Sequence, residues 1–219
     1  MDGITMTTDL QNIKQVLERM NNEDLIQREQ GLTRDERWRS IPPISGRFLF
    51  HSVLSLKATT IVEIGMSHGY STIWMAMAAM QTGGMVHTYE VEEWRYKKAI
   101  SNFKEAGVRD AINPVLLEDP TDSVYPESID LAFIDAEKED YVIHFNNILP
   151  NLSENGVIIA DNIISHKDEP AIQEFARIIH TREDLVSTIL PIGKGLSYSQ
   201  KLNESLPTGV NELFSSYQL

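Results

Sequence analysis

From Thr59 onward, short β-prone runs alternate with longer helical stretches, and this pattern constrains the fold more than any other feature. The runs are TTIVEIG (59–65), MVHTYE (85–90), INPVLL (112–117), IDLAFID (129–135), GVIIADN (156–162), LVSTILPI (185–192) and GLSYSQKL (195–202). Helical stretches at 70–82, 92–106, 138–151 and 169–180 lie between several of them. Strands alternating with helices predict a parallel sheet covered on both faces. The link between the third and fourth runs, 118–128, is polar and turn-like and holds no long helical pattern. Between the last two runs stand only Gly193 and Lys194. So short a link fits a hairpin, hence an antiparallel final strand.

The N-terminal part reads differently. Leu10, Ile13, Val16, Leu17 and Met20 fall on one face of a helix over 9–22. Residues 31–45 are mixed and broken by Pro42 and Pro43, which suits an irregular lid. A second amphipathic segment covers 46–57. The expected organisation is a helical and lid segment at 1–45, one α/β domain at 46–202, and a tail at 203–219. A chain of 219 residues suffices for one large core.

Composition excludes several chemistries. There are no cysteines, so thiolate nucleophiles, zinc–thiolate sites and disulfides are ruled out. No apolar run is long enough for a membrane span, and no secretory pattern opens the chain, so the expected location is cytoplasmic. The formal net charge of −13, with scattered basic residues, disfavours a nucleic-acid partner. A P-loop, a nucleophile-elbow serine and a His-Glu-x-x-His zinc motif are all missing.

Strand ends carry the candidate chemistry. In VEIGMSHGYST (62–72), Gly65 permits a tight turn with close ligand approach, and Gly69 lets the chain enter the next helix. Met66 and His68 make this loop bulkier than one shaped for a pyrophosphate. Ser71, near the helix start, offers donors to a carboxylate. Glu90 closes the second run, where an acid is placed to accept hydrogen bonds from ribose hydroxyls. Asp119, beyond the third run, is within reach of an adenine amine.

Asp135 ends the fourth run, and Asp161 and Asn162 end the fifth. Two carboxylates and an amide are hard oxygen donors, suited to Mg²⁺, Mn²⁺ or Ca²⁺. Lys138 lies three residues after Asp135 and can face the same cleft. A neighbouring cation disfavours an ammonium, so a lysine here can accept a phenol proton. Read singly, these residues are helix caps, a turn and a surface lysine; their joint placement at two strand ends favours a site. Trp38 and Pro43 read either as walls for an aromatic substrate or as lid packing. His68 and His166 read either as substrate contacts or as structural residues. His144 and His51 fall in apolar helices and read as packing.

These residues carry a likeness. The chain resembles the divalent-metal-dependent, class I S-adenosylmethionine O-methyltransferases, the group containing the catechol and caffeoyl-coenzyme A enzymes. The matching pieces are SGRFL (45–49), VEIGMSHGYST (62–72), YEVEEWRYKKAISNFKEAGV (89–108), FIDAEKEDY (133–141), IIADN (158–162) and LPIGKGL (190–196). The resemblance implies a seven-stranded Rossmann-like sheet whose last strand is antiparallel. It implies S-adenosylmethionine at Glu63, Gly65, Met66, Ser71, Glu90, Val91, Asp119 and Asp135. Asp135, Asp161 and Asn162 match metal ligands, Lys138 matches the proposed general base, and a homodimer is implied. Departures are Met66 and His68 in the loop, Glu118-Asp119 where a Gly-Asp pair is usual, and Ala136 where the catechol enzyme has histidine. The expected reaction is methyl transfer to a hydroxyl of a catechol-like acceptor. The alternatives are O- or N-methylation of a non-catechol metabolite, and a non-catalytic cofactor-binding, dimerising protein.

Overall fold

A computed structural model describes residues 5–203. The 203–219 tail therefore lies almost wholly outside the described residues. Two helices, α1 (Thr5–Glu29) and α2 (Pro43–Leu56), precede a sheet of seven strands. The strands are β1 (Thr60–Ile64), β2 (Met85–Glu90), β3 (Ile112–Leu116), β4 (Ile129–Ile134), β5 (Leu152–Ala160), β6 (Leu185–Leu190) and β7 (Leu196–Lys201). Between them run α3 (Tyr70–Thr82), α4 (Glu93–Ala106), α5 (Tyr141–Ile148) and α6 (Pro170–Thr181). Sheet order is β3-β2-β1-β4-β5-β7-β6. All neighbouring pairs from β3 to β5 are parallel, and β7 runs antiparallel between β5 and β6. The expected hairpin is present, but both strands are shorter than expected and its connection is the five residues 191–195 rather than Gly193 and Lys194 alone. As the sequence suggested, only a 3₁₀ turn (Pro120–Asp122) interrupts the β3–β4 link.

Local chemistry sets the element ends. Pro43 starts α2 because a first-turn residue needs no amide donor and proline's φ suits that position. The helix therefore begins three residues earlier than the pattern at 46–57 suggests. α1 is also longer than 9–22, since Arg28–Asp24 (2.8 Å) and Arg19–Glu23 (2.8 Å) pair along its later turns. The stretch 138–151 divides into a 3₁₀ turn at Lys138–Asp140, α5, and another at Leu149–Asn151 that contains Pro150.

Strand alternation divides the core into two layers. Ile61, Leu131, Phe133, Val157 and Ile159 face one layer with α1, α2, α3 and α4. Val62, Ile64, Ala132, Ile134, Ile158 and Ala160 face the other, against Tyr141 and Phe145 of α5 and Phe175 of α6. A period of two thus serves two cores at once. Burying each large side chain contributes about 1.5–3 kcal/mol. Met20, Ile13 and Val16 of α1 belong to the first layer, so this helix is part of the domain core. Among the described residues, no helix is long and apolar enough to cross a membrane.

Candidate active site

The cleft opens at the carboxyl ends of β1, β2, β4 and β5, where open α/β sheets bind ligands. Its volume is about 510 Å³, and it is roofed by the irregular segment between α1 and α2. Gly65 and Ser67 line it from the β1–α3 loop, and Glu90 and Val91 from the end of β2. Asp135 and Lys138 follow β4, Asn162 and His166 follow β5, and Trp38 comes from the roof.

Gly65 sits at φ +94°. A Cβ there would stand 2.3 Å from the backbone oxygen of Asp135, so only glycine lets these two loops meet. Of the six non-glycine residues with positive φ among the described residues, three line the cleft: Arg39, Ser67 and Asn162. Such conformations cost energy and cluster at functional sites. Glu90 is held by three backbone amides, Ser67 (2.7 Å), Val91 (2.9 Å) and Glu92 (2.9 Å). Its carboxylate therefore faces the cleft in a set orientation.

Glu63, Met66 and Ser71 stand behind the cleft wall. Glu63 is fully buried and accepts hydroxyl bonds from Ser71, Thr72 and Thr88. These ties fasten the start of α3 to β1 and β2. Burial pushes the Glu63 carboxyl up to about 7, and the three hydroxyls oppose that rise. Asp119 is exposed beyond β3, where Leu117 and Pro120 line the cleft beside it. Pro43 is exposed at the first turn of α2 and does not line the cleft.

The acid–lysine group is compact. Asn162 Nδ2 donates to Asp135 Oδ1 (2.8 Å), and Lys138 Nζ reaches the same oxygen at 3.3 Å. Lys138 also donates to the Ala136 carbonyl (3.0 Å) and the Tyr141 hydroxyl (2.7 Å). Tyr141 in turn donates to the Asp161 carbonyl (3.1 Å). Burial, then the nearby Asp135 and Asp161 charges, holds the Tyr141 phenol well above its ordinary range.

Asp161 is fully buried, and neither carboxylate oxygen has a hydrogen-bond partner in the described structure. Burial and the charge of Asp135 push its carboxyl up to about 7. Buried polar atoms are rarely left unpaired, so two orphaned oxygens in one carboxylate need an explanation. A hard cation fits: Asp161, Asp135 and the Asn162 amide supply oxygen donors of the right kind. Among the described residues, no three His, Cys, Asp or Glu side chains group together, and here the third donor is an amide.

The roof is latched to the glycine loop. The Trp38 ring stacks on His68 at 4.9 Å with planes 1° apart, and lies 4.9 Å from Trp94. Ser67 Oγ donates to the Trp38 carbonyl (2.6 Å), and His68 Nε2 pairs with Ser40 Oγ (2.8 Å). His68 is buried and does not line the cleft. Burial, aided by Lys98, Arg19 and Arg95, depresses its pKa to about 3. His166 does line the cleft, with Ser165 Oγ 2.8 Å from its Nδ1.

Sequence reasoning missed several cleft residues. Arg34, Arg37, Arg39 and Arg95 line it, as does Lys194 from the β6–β7 turn. The signal was the basic run RDERWR (34–39) in an acidic chain. His144, read as packing, is indeed buried, yet it is also among the residues that line the cleft.

Comparison with known proteins agrees with this architecture. Residues 62–163 match the family described as a methyltransferase domain. A catechol O-methyltransferase of Mycobacterium tuberculosis is 35% identical over 123 residues, covering 54% of each chain. A catechol O-methyltransferase of Niastella koreensis is 30% identical over 151 residues, covering 61% of this chain and 66% of that one. The matches thus span just over half to about two thirds of these curated relatives. The Bacillus cereus O-methyltransferase, solved in complex with SAH, is 26% identical with a TM-score of 0.70, covering 85% of this chain and 90% of that one. The O-methyltransferase TomG of Streptomyces achromogenes, involved in tomaymycin synthesis and solved with SAM, shares the fold at 22% identity and TM-score 0.70, covering 84% and 89%. The seven-stranded sheet with antiparallel β7 is the Rossmann-like fold of S-adenosylmethionine methyltransferases.

Proposed function

We propose that this chain is an enzyme that transfers the methyl group of S-adenosylmethionine to a hydroxyl of a small aromatic acceptor with two adjacent oxygens, and that it requires a divalent cation. The observation that carries the reading is the fully buried Asp161 carboxylate with both oxygens unpartnered, just behind the cleft that Asp135, Asn162 and Lys138 line. The methyltransferase-domain match over 62–163 and the named relatives support the transferred group.

Each residue has a role in this reading. Gly65 and Val91 give the cofactor close approach, and Glu90 accepts its ribose hydroxyls. Glu63 and Ser71 act from behind, by fixing the loop and the start of α3. Asp135, Asp161 and Asn162 would hold Mg²⁺, or Mn²⁺ or Ca²⁺, and a cation there would supply Lewis-acid stabilisation of the acceptor phenolate. Lys138, fixed by Ala136 and Tyr141, accepts the phenol proton. The acceptor oxygen then gains the methyl group, and S-adenosylhomocysteine leaves. Trp38 and His166 border the acceptor, and the roof excludes water. Placement of both reactants supplies much of the acceleration. We place the enzyme in the cytoplasm, as a homodimer.

The test is methyl transfer from S-adenosylmethionine to a panel of catechols, with Mg²⁺ and with EDTA. Product that disappears with EDTA supports the whole reading. Product that survives EDTA removes the metal role. No product on any catechol, with S-adenosylhomocysteine still binding, moves the acceptor outside this class.

A further inference from the structure

Half of the chain's arginines surround one cleft. Arg28, Arg34, Arg37, Arg39 and Arg95 line it, five of ten, in a chain of formal net charge −13. Three of these ion-pair within the protein. Arg28 pairs with Asp24, and Arg34 and Arg39 share the one carboxylate of Glu137, at 2.8 and 2.7 Å. Arg37 and Arg95 make no ion pair among the described residues.

Arg95 is only 6% exposed. It donates to the carbonyls of Asp35 (3.0 Å) and Arg37 (3.5 Å), lies against Trp94 (5.0 Å), and keeps a buried Nε with no partner. Arg37 Nε is buried and unpartnered as well. Glu90, Glu92 and Glu137 act on Arg95 only through space, and none forms an ion pair with it. Glu90 is taken by three backbone amides, and Asp35 and Glu92 are exposed at the rim. Holding guanidinium groups together and out of water is unfavourable without an anion, and an arriving anion recovers that cost. The planar guanidinium fork matches a carboxylate or phosphate group.

We propose that Arg37 and Arg95, flanked by Arg39, form an anion subsite that holds an acidic group, carboxylate or phosphate, on the methyl acceptor. This rests on the methyl-transfer reading of the cleft. Arg39 reaches Glu137, the residue before Lys138, so the cluster borders the reacting end. The acceptor is then an acidic aromatic, and the neutral catechols are the poorer ligands.

Calorimetry in the presence of S-adenosylhomocysteine and Mg²⁺ tests this without turnover. The ligands are 3,4-dihydroxybenzoate, the corresponding phenylphosphonate, and 3,4-dihydroxybenzyl alcohol as the neutral match. At least one acid should bind tenfold or more tighter than the alcohol, and which acid does so separates carboxylate from phosphate. Arg37→Gln should collapse that ratio to within about threefold, and Arg37→Lys should restore part of it. Equal affinity for acids and alcohol in the unaltered protein overturns the subsite. So does an Arg37→Gln variant that keeps the ratio. If Arg37→Gln weakens S-adenosylhomocysteine as much as it weakens the acid, the arginines hold the cofactor's own carboxylate and the proposal fails. An acid preference with no methylation of any acceptor would sink the methyl-transfer reading alone.

Discussion

Replacing Gly65 by alanine tests whether the β1 and β4 loops meet as closely as the structure has them. Two costs apply. An L-residue at φ +94° carries roughly 1–2 kcal/mol of left-handed strain. The new Cβ would also lie 2.3 Å from the Asp135 oxygen and 2.8 Å from its carbonyl carbon. Those are backbone atoms and cannot rotate away, so the loop must shift by about 1 Å, an overpacking cost of roughly 1–3 kcal/mol. The control is Gly107→Ala. Gly107 also has positive φ (+73°), but its Cβ would meet nothing within 4 Å. It carries only the strain cost. Urea unfolding of both variants should therefore separate them by about 1–3 kcal/mol, with unchanged m-values. Because Asp135 is the displaced residue, Gly65→Ala should also weaken cation binding, and Gly107→Ala should not. A Gly65→Ala variant within about 0.5 kcal/mol of the control, with cation affinity intact, would refute the close approach.

Three further outcomes follow from the site. Lys138→Met keeps the buried stem but not the amine; single-turnover kinetics should show the methyl-transfer rate falling roughly 10²–10⁴-fold with S-adenosylhomocysteine affinity retained, and an unchanged rate removes the base role. Asp161→Asn removes a buried, unpaired charge, so metal-free thermal stability at pH 8 should hold or rise while calorimetric Mn²⁺ affinity drops at least tenfold; retained affinity excludes Asp161 as a ligand. The His68 pKa is depressed to about 3, so the folded state keeps the ring neutral; its contribution is present above about 6.5 and lost as pH falls toward 3. His68→Gln should flatten the acid limb of stability against pH by a few kcal/mol, and a limb of unchanged slope between pH 6 and 4 would show that the ring protonates in place.

Much of the fold was legible in the chain because its signals are local. Alternation in IDLAFID and GVIIADN marks strands, and 3.6-residue spacing marks α3 and α4, which fall within a residue of expectation. The two-residue gap at Gly193 and Lys194 announces an antiparallel pair. Strand-end acids announce a site. Tertiary structure decided what those residues face, because pairing and burial join positions far apart in sequence. β4 lies beside β1, so Asp135 abuts Gly65, seventy residues earlier in the chain. Burial ties Ser71 to Glu63 behind the cleft wall. It also left Asp161 with two unanswered oxygens, a condition no spacing rule encodes. The sequence places the arginines of 34–39 in an irregular lid segment; only the return of that roof over the sheet brings them to Arg95 and the reacting end.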